Sequence, residues 1–347
     1  MMAREFPPQA RNLILAILLG AGSGVIASAL TVGYLFTYVT EINTLMAPFR
    51  LSTERSRESL SMAEELARIR RVAMPSAVAV LPAAPAGRVR DLSEAIAYGA
   101  VLTSDGWLLV GADGKLAPSS QIAIGRDLYA IQRIEPAGVE GFQFVQVSAR
   151  NLTVAPFGKG AGLLAGDRVM ALAGPEALRP AVVESVRMVK AESSDQPARR
   201  LVLSLPSGNA HHGMPLVNAA GELVGIVASE ENGHLHAVVF ETFAPSLRSL
   251  LRSGTVSRPS LGLQGHHLAF TIGEPTDRNI TNGFVVTNRR AGITEGDIIL
   301  SINGEPIQRQ RTLDEALASF SPGDEVRVER DRVGDRQTIT IKLGTLP

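Results

Sequence analysis

From Ala77 to its end the chain is a succession of short aliphatic and β-branched runs, broken at close intervals by Gly, Pro, Asn and Asp. Residues 100–103 lead into Ser104-Asp105-Gly106 and out again through residues 107–110, and residues 215–218 reverse near Gly221 into residues 223–227. Each is a hairpin signature, because these turn residues adopt the backbone conformations that reverse a strand. An α/β fold would need long amphipathic helices alternating with the strands, and these are missing. The body is therefore predicted to be an all-β barrel or sandwich. One helix is predicted late, at residues 243–252, ended by Ser253-Gly254, and a domain boundary is placed there.

The beginning of the chain is different in kind. No residue between Arg11 and Glu41 carries a charge, and residues 13–38 are dominated by Leu, Ile, Val, Ala, Gly and Phe. At about 1.5 Å per residue this run covers roughly 39 Å, enough for a hydrocarbon core of about 30 Å, so one N-terminal transmembrane helix is predicted after a tail of residues 1–12. A cleaved signal peptide has an apolar region of only about 7–15 residues. Here the run continues into Tyr34, Phe36 and Tyr38, which suit an interfacial aromatic belt. Arg4 and Arg11 on one side face Arg50, Arg55 and Arg57 on the other, which leaves the orientation open. Residues 39–71 read as a helical stalk or linker, with Met62, Leu66 and Ile69 on one helical face, and Pro75, Pro82 and Pro85 end it.

Composition excludes more than it assigns. Lys plus Arg and Asp plus Glu number 34 each, so no net field points to nucleic acid, and none is expected as a partner. There is no Cys, which removes disulfides, thiolate metal sites and a Cys nucleophile, and no cofactor is expected.

Several segments carry a resemblance, in order along the chain. Pro75-Ser76-Ala77-Val78-Ala79-Val80, residues 99–109, Asn151-Leu152-Thr153-Val154, Ala165-Gly166-Asp167-Arg168-Val169, Pro215-Leu216-Val217-Asn218 and Gly225-Ile226-Val227 resemble successive segments of HtrA (DegP-like) serine proteases. Residues 283–307, with Ala291-Gly292-Ile293-Thr294-Glu295-Gly296-Asp297 and the turn Asn303-Gly304, resemble a PDZ domain. The resemblance implies a mainly β protein: a chymotrypsin-like double β-barrel at 72–254 and a PDZ domain at 255–347.

A serine protease needs a hydroxyl nucleophile, an imidazole base and a carboxylate that orients the imidazole. Matching the family's Gly-Asn-Ser-Gly-Gly-Pro-Leu onto this chain at Pro215-Leu216 puts His212 at the nucleophile position, with Met214 where the family has Gly. The family's histidine position falls on Asp113 and its aspartate position on Gly141, and no His precedes His211. The resemblance therefore implies a degenerate triad and a protein that is not an enzyme. An active serine-type hydrolase with rearranged or metal-assisted chemistry around His211, His212, His234 and His236 is the alternative. No metal site is assigned, and His212, His234 and His236 are the weak candidates, since imidazoles suit zinc but no carboxylate completes a known ligand motif.

The PDZ resemblance implies peptide binding by strand addition, with a tight loop receiving a terminal carboxylate. By position, Leu261-Gly262-Leu263 is that loop, and Leu313, Ala316 and Leu317 wall the side-chain pocket. The expected ligands are C-terminal or unfolded peptide segments. The expected assemblies are a homotrimer or a complex with an active protease, in a protein-quality-control role, with a single-pass membrane anchor and an extracytoplasmic (periplasmic or outer-face) body.

Overall fold

Strand pairing in the body is set by two repeats of the same hairpin arithmetic. The computed structural model describes residues 62–85, 89–112, 114–188, 193–205, 212–231, 233–271 and 280–346. The predicted membrane span at 13–38, most of the stalk, Asp113 and His211 lie outside the described residues. Among the described residues no helix is long and apolar enough to cross a membrane.

The first barrel is formed by β1 (Ala77–Leu81), β2 (Ala97–Val101), β3 (Trp107–Gly111), β4 (Gln121–Ile124), β5 (Asp127–Pro136) and β6 (Phe142–Val147), closed in the order β1-β2-β3-β6-β5-β4. The second is formed by β7 (Arg168–Ala173), β8 (Ala177–Met188), β9 (Arg199–Leu203), β10 (Pro215–Val217), β11 (Leu223–Glu231) and β12 (His234–Val239). Its closed order, β7-β8-β9-β12-β11-β10, is the first barrel's order repeated six strands later. Closure leaves neither barrel with a free edge, and all pairs are antiparallel.

The strands between the barrels are buried on both faces. In β3, Leu108 and Val110 point into the first barrel while Trp107 and Leu109 join a second cluster with Phe142 and Phe144 of β6 and Ile226 and Val238 of the second barrel. Alternate residues of a strand point to opposite faces, so one five-residue strand serves two cores. This explains why Trp107-Leu108-Leu109-Val110 reads as a continuous apolar run and not as an alternation. The helix Ala244–Ser253 covers the seam through Leu247 and Leu250 and stops at Gly254, whose φ of 72° is the left-handed cap expected from Ser253-Gly254.

The described end of the stalk, the helix Met62–Val72, lies on the second barrel. Ile69 is buried with Met170, Leu172 and Val217, Leu66 packs against them, and Arg68 donates to the Ala220 carbonyl at 3.2 Å. Met62 stays exposed.

The C-terminal domain pairs β13 (Arg258–Ser260) with a closing strand and builds a sheet from β14 (Gly265–His267), β15 (Phe284–Val286), β16 (Ile298–Ile302), β17 (Glu305–Pro306), β18 (Glu325–Arg332) and β19 (Asp335–Lys342). The closing strand is β20 (Gly344–Leu346). Asn303 and Gly304 both have positive φ, 51° and 84°, the type I′ conformation that an Asn-Gly hairpin favours. The helix Leu313–Leu317 starts with a capping box between Thr312 and Glu315. Asp297 receives Arg330 Nη1 at 2.8 Å, Arg332 Nε at 2.9 Å and the Thr294 N–H at 2.9 Å. Burial pushes its carboxyl up, but these hydrogen bonds and the two guanidinium charges outweigh it and hold the pKa below the usual range.

His267 is buried on β14, edge-on to Phe284 with ring centroids 5.0 Å apart. Burial pushes its pKa down to about 4; Glu315 opposes this and His266 adds to it. The unfolded chain takes up the proton near pH 6.5 and the folded chain only near 4, so the stabilisation is complete above about pH 6.5 and is lost as pH falls towards 4. Over that window the loss reaches roughly 3 kcal/mol. Urea unfolding at pH 7.5 and pH 4.5 should show a markedly smaller acid loss for His267→Leu than for the native chain. Equal losses would place the acid sensitivity elsewhere.

Candidate functional site

Glycine-to-glycine contact brings the two barrels together at the place where the family resemblance puts the catalytic groups. Gly111 ends β3 and lies against Gly213, whose φ is 82°. A Cβ on Gly111 would overlap the His212 ring and come within 2.5 Å of Gly213 N and Cα. The Tyr98 N–H donates to the His212 carbonyl at 3.0 Å, and the Gly213 N–H donates to Val227 O at 2.9 Å, so this segment is held from both barrels.

His212 and Gly141, two of the three positions assigned to the triad by resemblance, are in direct contact; the third, Asp113, lies outside the described residues. His212 Nε2 is 2.7 Å from the Gly141 carbonyl. A carbonyl only accepts, so Nε2 carries the proton and donates it. The same carbonyl accepts from the Ala112 N–H at 2.9 Å, and the imidazole is tilted against Phe142 with centroids 5.4 Å apart. Gly141 has φ 79°, and a Cβ there would sit 3.1 Å from His212 Cε1. An acidic side chain at 141 would need a left-handed backbone and space that the imidazole occupies. Met214 turns away from this seam and is fully buried with Leu216 and Val227 in the second barrel.

The other two histidines singled out in the sequence have different neighbours. His234 Nδ1 is 3.2 Å from Glu184 Oε2 on the exposed end of β12. His236, two residues on, is buried, with Nε2 4.0 Å from Glu231. Burial lowers its pKa, Glu231 opposes this, and Arg187, Arg200 and His234 lower it further. Among the described residues no three His, Cys, Asp or Glu side chains come together as metal ligands.

In the PDZ domain the loop assigned to carboxylate recognition turns at Gly262, with φ 63°. Leu261 and Leu263 on either side are buried in one cluster with Leu313, Ala316 and Leu317. The loop's N–H groups are engaged by the connection between β8 and β9. The Leu261 N–H donates to Asp195 Oδ1 at 3.1 Å, the Gly262 N–H to Asp195 Oδ2 at 3.2 Å, and the Leu263 N–H to Ser194 Oγ at 3.1 Å. The Ser260 hydroxyl donates to Asp195 Oδ2 at 2.6 Å. Ser194 N–H donates to Leu263 O at 2.8 Å, and Ser193 bridges Gln264 in antiparallel fashion. Sequence reasoning found the loop but not Ser193, Ser194 or Asp195.

Further contacts hold the PDZ helix to the barrels. Arg199 on β9 donates Nε to Glu315 Oε1 at 2.5 Å and Nη2 to the Gln310 carbonyl at 3.0 Å. Glu315 also accepts the Thr312 N–H, so one carboxylate caps the helix and anchors it. A cavity of about 270 Å³ adjoins this contact, lined among others by Glu241, Arg258, Arg311 and Asp314. Burial pushes the Asp314 carboxyl up to about 6.

Two closed six-stranded barrels meeting at a glycine seam, followed by a PDZ domain, are a trypsin-type protease fold with a peptide-recognition module. The PDZ domain family matches residues 280–343. A probable periplasmic serine endoprotease, DegP-like, from Rhizobium meliloti (strain 1021) is 28% identical over 213 residues, covering 57% of this chain and 42% of that protein. A protein of the same description from Pseudomonas putida (strain GB-1) is 23% identical over 286 residues, covering 77% and 59%. The chain thus matches less than two thirds of the length of these relatives. The solved structure of the HtrA-type protease AlgW with decapeptide superposes with a TM-score of 0.55 at 17% identity, covering 81% of this chain and 98% of that one. The chain is an HtrA-like protein, with a trypsin-fold body and a C-terminal PDZ domain.

The seam sets a clear mutational expectation. Gly111→Ala pushes a methyl into the Gly213 backbone, which no rotamer change relieves, and should cost about 1–3 kcal/mol or more. Gly162→Ala, where a Cβ meets nothing within 4 Å, should stay within about 0.5 kcal/mol of the native chain. Thermal unfolding of both variants checks the contrast, and equal melting temperatures would contradict it.

Proposed function

We propose that this HtrA-like chain is a catalytically inactive, membrane-anchored protein that binds C-terminal or unfolded peptide segments through its PDZ domain. It acts as a scaffold or regulator, in complex with an active protease or as a homo-oligomer. The observation that carries the inactive reading is the contact between His212 and Gly141. The residue at the nucleophile position has no hydroxyl, its Nε2 proton is held by a backbone carbonyl, and the position facing it has no side chain. A first barrel without any histidine adds to this, since acyl transfer from serine requires a base beside the nucleophile.

The uncharged run at residues 13–38 supports the anchor. Relatives described as probable periplasmic endoproteases support an extracytoplasmic body. Peptide binding is supported by the PDZ match and by the fold shared with an HtrA-type protease solved with a decapeptide.

The relatives' description as serine endoproteases favours a second reading, an active serine-type hydrolase with a rearranged site. One experiment separates the two. The purified full chain should neither cleave unfolded casein nor react with a fluorophosphonate probe. Probe labelling that disappears when a single serine is replaced would establish the active reading.

A further inference from the structure

We infer that the PDZ domain is occupied in cis: Asp195 of the second barrel serves as an internal carboxylate ligand for the Leu261-Gly262-Leu263 loop, and an external C-terminal carboxylate must displace it. This rests on the PDZ peptide-binding reading proposed above and adds what controls it. Strand addition to a PDZ domain has two components, an antiparallel segment beside the edge strand and a carboxylate on the loop's N–H groups. The residues Ser193-Ser194-Asp195 provide both. Ser193 bridges Gln264, Ser194 exchanges bonds with Leu263 in both directions, and Asp195 reaches the N–H groups of Leu261 and Gly262.

Chain direction matches the role. Residues 193 to 195 advance as their partners step back from 264 to 261, so the segment runs antiparallel and brings its carboxylate to the loop last. A C-terminal peptide would arrive in the same sense, its α-carboxylate where the Asp195 side chain lies.

The carboxylate is well satisfied. It accepts from two backbone N–H groups, from the Ser260 hydroxyl at 2.6 Å and from its neighbour Ser194 Oγ at 2.9 Å. Ser194 and Asp195 are both buried, with 1% and 8% of their surfaces exposed. Charge-assisted hydrogen bonds of this kind are the strong ones. The Arg199 to Glu315 and Gln310 contacts, four residues beyond Asp195, keep the segment beside the PDZ helix. The ligand class that would compete is a free α-carboxylate on an apolar C-terminal residue, because the side chains behind the loop are Leu261, Leu263, Leu313 and Leu317.

A site open for only a fraction of the time binds with a dissociation constant raised by the inverse of that fraction. Binding of a fluorescein-labelled hexapeptide pool, randomised except for a C-terminal Leu, Val or Phe, would be measured on the full chain. The same pool with amidated C termini is the control. Asp195→Ala should bind the carboxylate pool at least about tenfold more tightly than the native chain, as expected where the open fraction is a tenth or less, and should not bind the amide pool.

Because the chain has no Cys, Ser193→Cys combined with Gln264→Cys reports docking directly. Antiparallel partners lie about 4.5–5.5 Å apart at Cα, within disulfide reach. The oxidised pair should block the carboxylate pool, and reduction should restore binding. Equal, carboxylate-selective binding by the native chain and Asp195→Ala would overturn the cis occupancy and leave the PDZ reading standing, as would failure of the cysteine pair to cross-link while the pool still binds. If neither Asp195→Ala nor the reduced pair distinguishes carboxylate from amide, the PDZ reading falls with it and the contact is packing alone.

Discussion

The close approach of Gly111 and Gly213 fixes how the two barrels face each other. Neither residue has a side chain to hold the backbones apart, and a Cβ on either would run into the other's main chain. With the spacing set, alternate residues of β3 and β6 can fill the first barrel and the seam at once, and Ile226 and Val238 meet them from the second barrel. The position of His212 follows from this spacing. It sits one residue before Gly213, with its carbonyl held by Tyr98 and its ring pressed between Gly111, Gly141 and Phe142. Enlarging either glycine would move the strands that both cores share.

Much of this was legible in the sequence wherever the signal was local. Ser104-Asp105-Gly106 and Asn303-Gly304 marked hairpins that form, and Ser253-Gly254 marked a helix end whose left-handed cap is present. These are short-range constraints, written by residues that take the turn conformation directly. The closure of the barrels was not legible as such. The pairing of β1 with β4 joins Val78 to Ile124, and nothing in either segment names the other. Only the ordered resemblance to a known family supplied that pairing. For the seam, resemblance aligned Gly141 with His212, while their hydrogen bond across 71 residues had no local trace.

The PDZ loop divides in the same way. Its residues were found because Leu261-Gly262-Leu263 is a contiguous pattern with a glycine where φ must be positive. Its occupant was missed because Ser193-Ser194-Asp195 reads as an ordinary polar turn, and its partners stand 65 to 71 residues further on. Ser and Asp are common in turns for reasons unrelated to ligand mimicry, so composition alone gives no warning. The signal appears only when donors are counted in three dimensions. A loop with three N–H groups pointing one way requires acceptors, and here the second barrel supplies them.

The PDZ domain is held against the barrels at several points. If the domain hung on a flexible linker, Asp195 would compete with peptides only at the effective concentration a tether provides, on the order of millimolar. Here Arg258 Nη1 reaches the Gly138 carbonyl at 2.8 Å, Arg133 reaches Gly254 O at 2.5 Å, and Arg199 grips Glu315 beside the helix. These bonds fix the loop and the 193–195 segment on one frame, so Asp195 meets the loop without the orientational loss a free peptide bears on binding. The same frame links the two sites of the molecule. Ser193, Ser194 and Asp195 connect β8 to β9, β9 pairs with β12, and β12 pairs with β11, whose Val227 carbonyl holds Gly213 at the seam.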